Sequence, residues 1–359
     1  MKKVLTPLFS AVFLLMFGFF FQLSAAAARE PVPPFQKDLF IDGVYYHLSW
    51  ANVAGATAYL QVPEDYTGEL PDEITVRNEI TWDGITFEVN SFSSGDSYDS
   101  IGHLTKRKTG APTYYQQHLK KITVEEGVSP LLSLSHYEAL EEIIIESSSQ
   151  TIQGNMSLWD CPKLKDIHVP SNVDLVPHLR DCPNASAVYT PEHPKYQTID
   201  GDIYSKNGKV LYDVPATTKK YTVRKGVERI ESNAFAGNGS IKKIFLPNSV
   251  RKIKSGAFFN MQKLKKVKYG NNIKKIYGKC FQRTPNLKVL TLPASVRQIT
   301  SSFGTKKFSG LKKIYINSPK LNKADFSGVP KTCKIYVKNN AVKNMIRKQS
   351  NFKGQIIVK

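Results

Sequence analysis

Basic residues recur at a constant spacing in the second half of this chain of 359 residues. One column of lysines repeats every 23 or 24 residues, and two further basic columns follow the same period. Cations stacked at a regular interval suit the binding of a polymer of anions, because neutralising the anions releases their counterions. The candidate polyanion-binding residues are Lys242, Lys265, Lys288 and Lys312; Lys243, Lys266 and Lys313; and Arg251, Lys274 and Arg297.

The charge distribution favours this interpretation, but a simpler one stays open. Residues 221–359 carry 32 Lys and Arg against three acidic residues, whereas residues 29–220 carry 16 against 27. The two parts therefore have net charges of +29 and −11. In the simpler interpretation, lysine only occupies solvent-facing positions and keeps the sheet soluble. Charges about 4.8 Å apart on neighbouring strands repel by roughly 0.9 kcal/mol in water, which flexible side chains and salt reduce.

Aromatic residues at Phe245, Tyr269 and Tyr315 lie close to these lysines in the sequence. Exposed rings would stack on sugar rings. The alternative is that they pack against one another across the sheet, as aromatic pairs on neighbouring strands do.

Patterns typical of catalysis or metal binding are absent from the sequence. The seven histidines form no H-E-x-x-H pattern, and there is no G-x-S-x-G, no P-loop and no G-x-G-x-x-G. The neighbouring carboxylates of Glu141 and Glu142 are interpreted as part of a solvated surface. We therefore expect no enzyme activity, no catalytic or metal site and no cofactor.

Cysteines occupy equivalent positions at Cys161 and Cys182, each within Asp-Cys-Pro. On adjacent turns of a repeat their Cα atoms would lie within reach of a disulfide. Stacked side chains point in parallel and suit that bond poorly, so two buried thiols are favoured, with a bridge left open. Cys280 replaces an alanine of its column and is expected in the core.

The lysines are embedded in two apolar patterns that repeat in phase. The first has apolar residues at i, i+3 and i+5, too short for a helix and typical of a short strand entered through a bend. It begins at Ile241, Leu264, Leu287 and Leu311, with looser copies at Leu119, Leu140, Leu164 and Ala185. The second contains Val227, Val250, Ile273 and Val296, then Ile230, Ile253, Ile276 and Ile299, then Ala234-Phe235, Ala257-Phe258 and Cys280-Phe281. No copy buries its apolar face alone, so the pattern predicts a mainly β repeat solenoid.

These residues resemble the BspA-like leucine-rich repeat, a bacterial family of exported surface proteins. The resemblance is strongest over residues 221–316 and usable from residue 117. Two departures are residues 90–116, which lack the repeat, and Ser302–Lys307, which blur the Ala-Phe position of the last full copy. The resemblance implies a leucine-rich-repeat solenoid of about 23 residues per turn, with a small N-terminal β module. It also implies a binding role, often adhesion to matrix proteins.

The chain start has the pattern of a signal peptide. Lys2 and Lys3 precede an apolar run that ends in an alanine-rich segment, which predicts cleavage near Ala28, although an uncleaved membrane anchor stays open. The expected organisation is a signal peptide (1–28), an N-terminal β lead-in module (29–90), a loop or linker (91–116), BspA-like repeats (117–338) interrupted by a hairpin insertion near 191–220, and a C-terminal cap (339–359).

The expected function is that of an exported binding protein, secreted or on the cell surface, with the periplasm as a further location. Its expected partner is an extracellular protein or an anionic polysaccharide, bound through the repeat surface in adhesion or capture. The alternative is a structural envelope-associated protein whose basic half docks on anionic surface lipid or polymer. Nucleic acid is not expected as a physiological partner.

Overall fold

A computed structural model gives the fold of most of the chain. The predicted signal peptide lies outside the described residues, as does much of the predicted loop at 91–116. The structure describes residues 35–50, 54–59, 66–93, 97–98, 104–106, 113–146, 151–215, 218–300, 303 and 310–359.

The first half is built from strands of two to nine residues and one short helix. In chain order these are β1 (Phe35–Ile41), β2 (Val44–Trp50), β3 (Ala54–Tyr59), β4 (Glu73–Val76), β5 (Glu79–Trp82), β6 (Ile85–Ser93), β7 (Ser97–Tyr98), β8 (Leu104–Lys106), α1 (Thr113–His118), β9 (Lys121–Val124), β10 (Ser129–Ser135), β11 (Glu142–Ile145), β12 (Ile152–Gln153), β13 (Asn155–Trp159), β14 (Asp166–Val169), β15 (Val173–Asp174), β16 (His178–Arg180) and β17 (Ser186–Tyr189).

Two sheets enclose the core of this half. Sheet I has the order β1-β2-β3-β6-β10-β13-β16, with β5 beside β6, and sheet II has the order β4-β9-β11-β14-β17. The first three strands pair antiparallel, as do β5 and β6, whereas the pairs from β3–β6 to β13–β16 along the order of sheet I are parallel. Leu158 of sheet I and Ile167 of sheet II are both buried in one cluster. The β lead-in strands thus share sheets and core with the repeats.

The second half continues with shorter strands and a closing helix. In chain order these are β18 (Tyr196–Ile199), β19 (Asp202–Ser205), β20 (Val210–Asp213), β21 (Lys220–Thr222), β22 (Arg229–Ile230), β23 (Lys243–Phe245), β24 (Lys252–Ile253), β25 (Lys266–Lys268), β26 (Lys275–Ile276), β27 (Val289–Leu292), β28 (Gln298–Ile299), β29 (Lys313–Ile316), β30 (Lys323–Ala324), β31 (Lys334–Val337), α2 (Asn340–Gln349) and β32 (Ile356–Val358).

After the antiparallel strands β18, β19 and β20, each turn from β21 to β30 contributes one strand to each of two further sheets. Sheet III has the order β18-β19-β20-β22-β24-β26-β28-β30. Sheet IV consists of β21-β23-β25 followed along the array by β27-β29-β31-β32, with the ladder interrupted between β25 and β27. Ile253 of sheet III and Ile244 of sheet IV are completely buried in one core, which therefore lies between the two sheets. The predicted mainly β leucine-rich-repeat solenoid is confirmed.

A ladder of aromatic rings runs through this core. Its rings are those of Tyr221, Phe235, Phe258, Phe281, Phe303 and Phe326, with successive centroids 5.2–5.8 Å apart. Phe303 follows Ile299 by four residues, whereas Phe281 follows Ile276 by five. Although Ser302–Lys307 blur the Ala-Phe position in the sequence, the ring of Phe303 still occupies its place in the ladder.

The turns before Phe235, Phe258 and Phe281 each contain a left-handed residue. The equivalent positions Asn233, Gly256 and Lys279 have φ of 62°, 67° and 59°. Glycine and asparagine adopt this conformation with little strain, whereas a residue such as lysine is strained in it. Lys279 therefore weakens its own turn.

A buried ion pair joins the two halves where sheet I ends at β16. Arg180 is 5% exposed and Asp213 is completely buried, and Nη1 of the arginine lies 2.9 Å from Oδ1 of the aspartate. The guanidinium also donates to the carbonyls of Leu179 (2.6 Å) and Asn233 (2.7 Å). Arg180 thus connects the end of sheet I both to β20 and to the first Ala-Phe turn of the second half.

Helix α2 packs over the last turn. Asn339 caps it by accepting a hydrogen bond from the amide of Val342, and Val342 and Ile346 bury its apolar side. Arg347 donates to the carbonyls of Phe352 and Gly354, which fixes the segment leading into β32. None of the helices in the described part of the chain has the length and apolar character needed to span a membrane.

Candidate functional site

The second lysine column lies on the outer surface of sheet IV. Lys243 of β23 is the direct ladder partner of Lys220 on one side and of Lys266 on the other. Beyond the interruption, Val289 pairs with Lys313, and Lys313 with Lys334. These side chains alternate with buried neighbours such as Ile244, so the pleat directs them to solvent.

The first column lies beside the second, at the bend where the chain enters each strand. The amide of Lys242 donates to the carbonyl of Lys219 (2.9 Å), and that of Lys265 donates to Lys242 (2.8 Å). The amide of Lys312 likewise donates to Lys288 (2.8 Å). Backbone hydrogen bonds along the array therefore hold this column in line, and Lys219 extends it by one turn.

Together these residues form a surface that we call the lysine face. It comprises the outward positions of sheet IV, the bends that enter its strands, and the residue after β32. Its lysines are Lys219, Lys220, Lys242, Lys243, Lys265, Lys266, Lys268, Lys288, Lys312, Lys313, Lys334 and Lys359. The sequence analysis did not identify Lys219 and Lys220, because Thr218 stands where the other copies have an apolar residue. The repeat period does identify them, since Lys219 lies 23 residues before Lys242.

The third predicted column lies elsewhere. Arg251, Lys274 and Arg297 precede the strands of sheet III, where the amide of Lys274 donates to Arg251 (2.8 Å) and that of Arg297 to Lys274 (2.9 Å). Since sheets III and IV lie on different sides of the core, the ten candidate residues divide between two surfaces. Seven of them belong to the lysine face and three do not.

The acidic residues separate the two surfaces further. All three carboxylates of residues 221–359 lie beside strands of sheet III, where Glu231 pairs with Arg229 (2.9 Å), Glu228 pairs with Lys209 (3.3 Å) and Asp325 follows β30. The positions that form the lysine face contain no Asp or Glu. Among the described residues, none of the seven predicted lysines on this face forms an ion pair.

Aromatic residues on the lysine face pack against one another. The rings of Tyr315 and Tyr336 stack at 4.7 Å with planes 11° apart, and the ammonium of Lys359 lies 4.6 Å from the centroid of Tyr336. Tyr269 points inward, and burial raises its pKa well above the usual value. The geometry therefore favours packing over an open platform for sugar rings.

The cysteines are buried free thiols in this structure. A hydrogen bond to Cys182, together with burial, raises the pKa of Cys161. Burial raises the pKa of Cys280 and of Cys333 to about 12, so neither is a ready nucleophile. Within the described ranges, no three His, Cys, Asp or Glu side chains lie close enough together to hold a metal ion.

The parallel ladders, the stacked apolar columns and the phenylalanine ladder define a leucine-rich-repeat solenoid. The sequence matches the model of the BspA type leucine rich repeat region, in six copies over residues 87–179, 107–209 and 208–331. Because these ranges cover well over half of the chain, the protein belongs to the BspA-type leucine-rich-repeat family. No curated protein sequence matches it.

Solved structures agree with this fold. The pneumococcal vaccine antigen PcpA is 16% identical, with a TM-score of 0.50, over 90% of this chain and 98% of that chain. A leucine-rich repeat protein from Eubacterium ventriosum is 15% identical, with a TM-score of 0.46, over 91% and 85%. A leucine rich cell surface protein from Faecalibacterium prausnitzii is 16% identical, with a TM-score of 0.41, over 89% and 98%. At 16% identity, the likeness to PcpA shows the fold alone.

Proposed function

We propose that this protein is exported to the bacterial surface, where it binds an anionic polymer through the lysine face. The observation that carries the proposal is the register of sheet IV, which stacks Lys220, Lys243 and Lys266 as direct partners. The signal-peptide pattern and the family support export. A repeat array of this kind offers a long binding surface and needs no catalytic group.

The physical basis is the concentration of unpaired positive charge. Neighbouring rungs lie about 4.8 Å apart, within the Debye length of about 8 Å at physiological salt, so their fields add. A polyanion that binds there releases its counterions, and its affinity falls steeply as salt rises. Lysines that serve only solubility do not need to form such an ordered array.

The test is retention of residues 29–359 on immobilised heparin across a salt series. The first variant changes Lys242, Lys265, Lys288 and Lys312 to Gln. The control variant changes four exposed lysines outside the lysine face to Gln, namely Lys320, Lys331, Lys348 and Lys353. Both variants lose four charges, so only the position of the charges differs.

We expect the first variant to elute at much lower salt than the control variant. Equal elution of the two variants would reduce the binding to net charge and overturn the lysine face as a site. Elution of the unchanged protein at low salt would overturn polyanion binding altogether. Circular dichroism and the melting temperature check that both variants fold.

A further inference from the structure

If the lysine face binds a polyanion, as the proposed function states, the direction of the lysine columns determines how that polyanion lies on the face. The columns run along the solenoid axis, because equivalent lysines stack on one another from Lys220 to Lys266 and again from Lys313 to Lys334, with Val289 between these runs. A chain laid along the axis meets a pair of cations at most turns. A chain laid across it meets at most three, as on the turn of Lys265, Lys266 and Lys268.

The chemistry of the face constrains the class of ligand. All its basic residues are lysines, whereas the arginines Arg229, Arg251 and Arg297 lie on sheet III. Lysine acts as a hydrated point charge, and only arginine offers the planar fork that fits a phosphate or carboxylate in a bidentate geometry. The lysine face therefore responds to the linear density of negative charge more than to the shape of a single anionic group.

The aromatic residues argue against single-stranded nucleic acid. Such ligands gain much of their affinity by stacking bases on open aromatic rings. On the lysine face, Tyr315 and Tyr336 cover each other, and Lys359 lies over the ring of Tyr336. Phe245 is half-buried between its ladder partners Thr222 and Lys268.

We infer that the lysine face binds a linear acidic polysaccharide that lies along the solenoid axis, and that sheet III takes no part. The array extends from Lys219 to Lys334, five steps of about 4.8 Å or about 24 Å in total. Uronate and sulfate groups along such a polymer meet the two lysine columns turn after turn. On sheet III, Glu228 and Glu231 each neutralise a basic residue, Lys209 and Arg229, and so lower the free positive charge of that surface.

The experiment measures the affinity of the mature protein for heparin-derived oligosaccharides of increasing length at several salt concentrations. Affinity and salt dependence are expected to increase with length and to level off where the oligosaccharide reaches about 24 Å. The test variant changes Lys220, Lys243 and Lys266 to Gln. Its matched control, on sheet III, changes Arg251, Lys274 and Arg297 to Gln and loses the same charge.

The test variant is expected to lower the slope of log K against log salt by about two to three, and the control to leave it nearly unchanged. Equal loss in both variants would overturn the assignment to one face while polyanion binding itself stands. A plateau at the shortest oligosaccharide would overturn the axial orientation. Tighter binding of a single-stranded oligonucleotide of equal length and charge would overturn the polysaccharide class. Absence of binding to every oligosaccharide would remove the proposed function as well.

Discussion

The ion pair of Arg180 with Asp213 permits a quantitative prediction for the junction between the two halves. Arg180→Met keeps most of the buried stem but removes the charge. Among the described residues, Asp213 then keeps the amide of Leu179 (3.3 Å) and the imidazole of His178 (3.3 Å) as partners, and the carbonyl of Asn233 loses the donor Arg180. Breaking a buried pair by removing one partner costs about 3–5 kcal/mol, because a charge stays buried without compensation.

Urea unfolding measures this cost. We expect the urea midpoint of Arg180→Met to fall by an amount equivalent to a loss of about 3–5 kcal/mol in the free energy of unfolding. The double variant Arg180→Met/Asp213→Leu removes both charges and should recover most of the loss, since apolar replacement of a whole buried pair is often neutral. The exposed pair of Lys165 with Glu141 (2.8 Å) provides a control, and Lys165→Met should leave the midpoint unchanged.

The reasoning would be refuted by either of two results. One is a loss of less than about 1 kcal/mol in the free energy of unfolding of Arg180→Met, which is the range found for exposed ion pairs. The other is a double variant less stable than both single variants, which would mean that packing around the side chains outweighs the charge.

Three further predictions concern the second half. Burial raises the pKa of Asp202 to about 7, so the folded chain keeps a proton that the unfolded chain releases near pH 4, and stability falls as pH rises between these values. Asp202→Asn should abolish this part of the pH dependence of the urea midpoint, and parallel profiles for variant and parent would contradict it. Phe281→Ala interrupts the aromatic ladder between Phe258 and Phe303 and should cost about 3–5 kcal/mol in thermal or urea unfolding; a cost below about 1 kcal/mol would mean that the ladder is loosely packed. Lys279→Asn relieves the left-handed strain and should stabilise by about 0.5–1 kcal/mol, and a lower melting temperature would show that the lysine makes a compensating contact.

The sequence alone determined the repeat period and which columns of side chains point into the core. The in-phase spacing of Ile230, Ile253, Ile276 and Ile299 predicts that these residues stack in one core, and they do. The same spacing predicts the stacking of Lys243 on Lys266. The reason is that a solenoid repeats its local contacts, so residues one period apart in the sequence are neighbours in the structure.

Only the tertiary structure decided which columns share a surface. The columns of Lys243 and Arg251 have the same period, but the turn between their strands places Lys243 on sheet IV and Arg251 on sheet III. The bend that separates them has no simple sequence signature. Phe303 joined the ladder although its spacing differs from that of Phe281. The pairing of Arg180 with Asp213 joins residues 33 apart, outside any repeat, and depends on how two arrays meet. Periodicity specifies contacts between equivalent positions, whereas contacts between non-equivalent positions depend on the path of the chain through its turns.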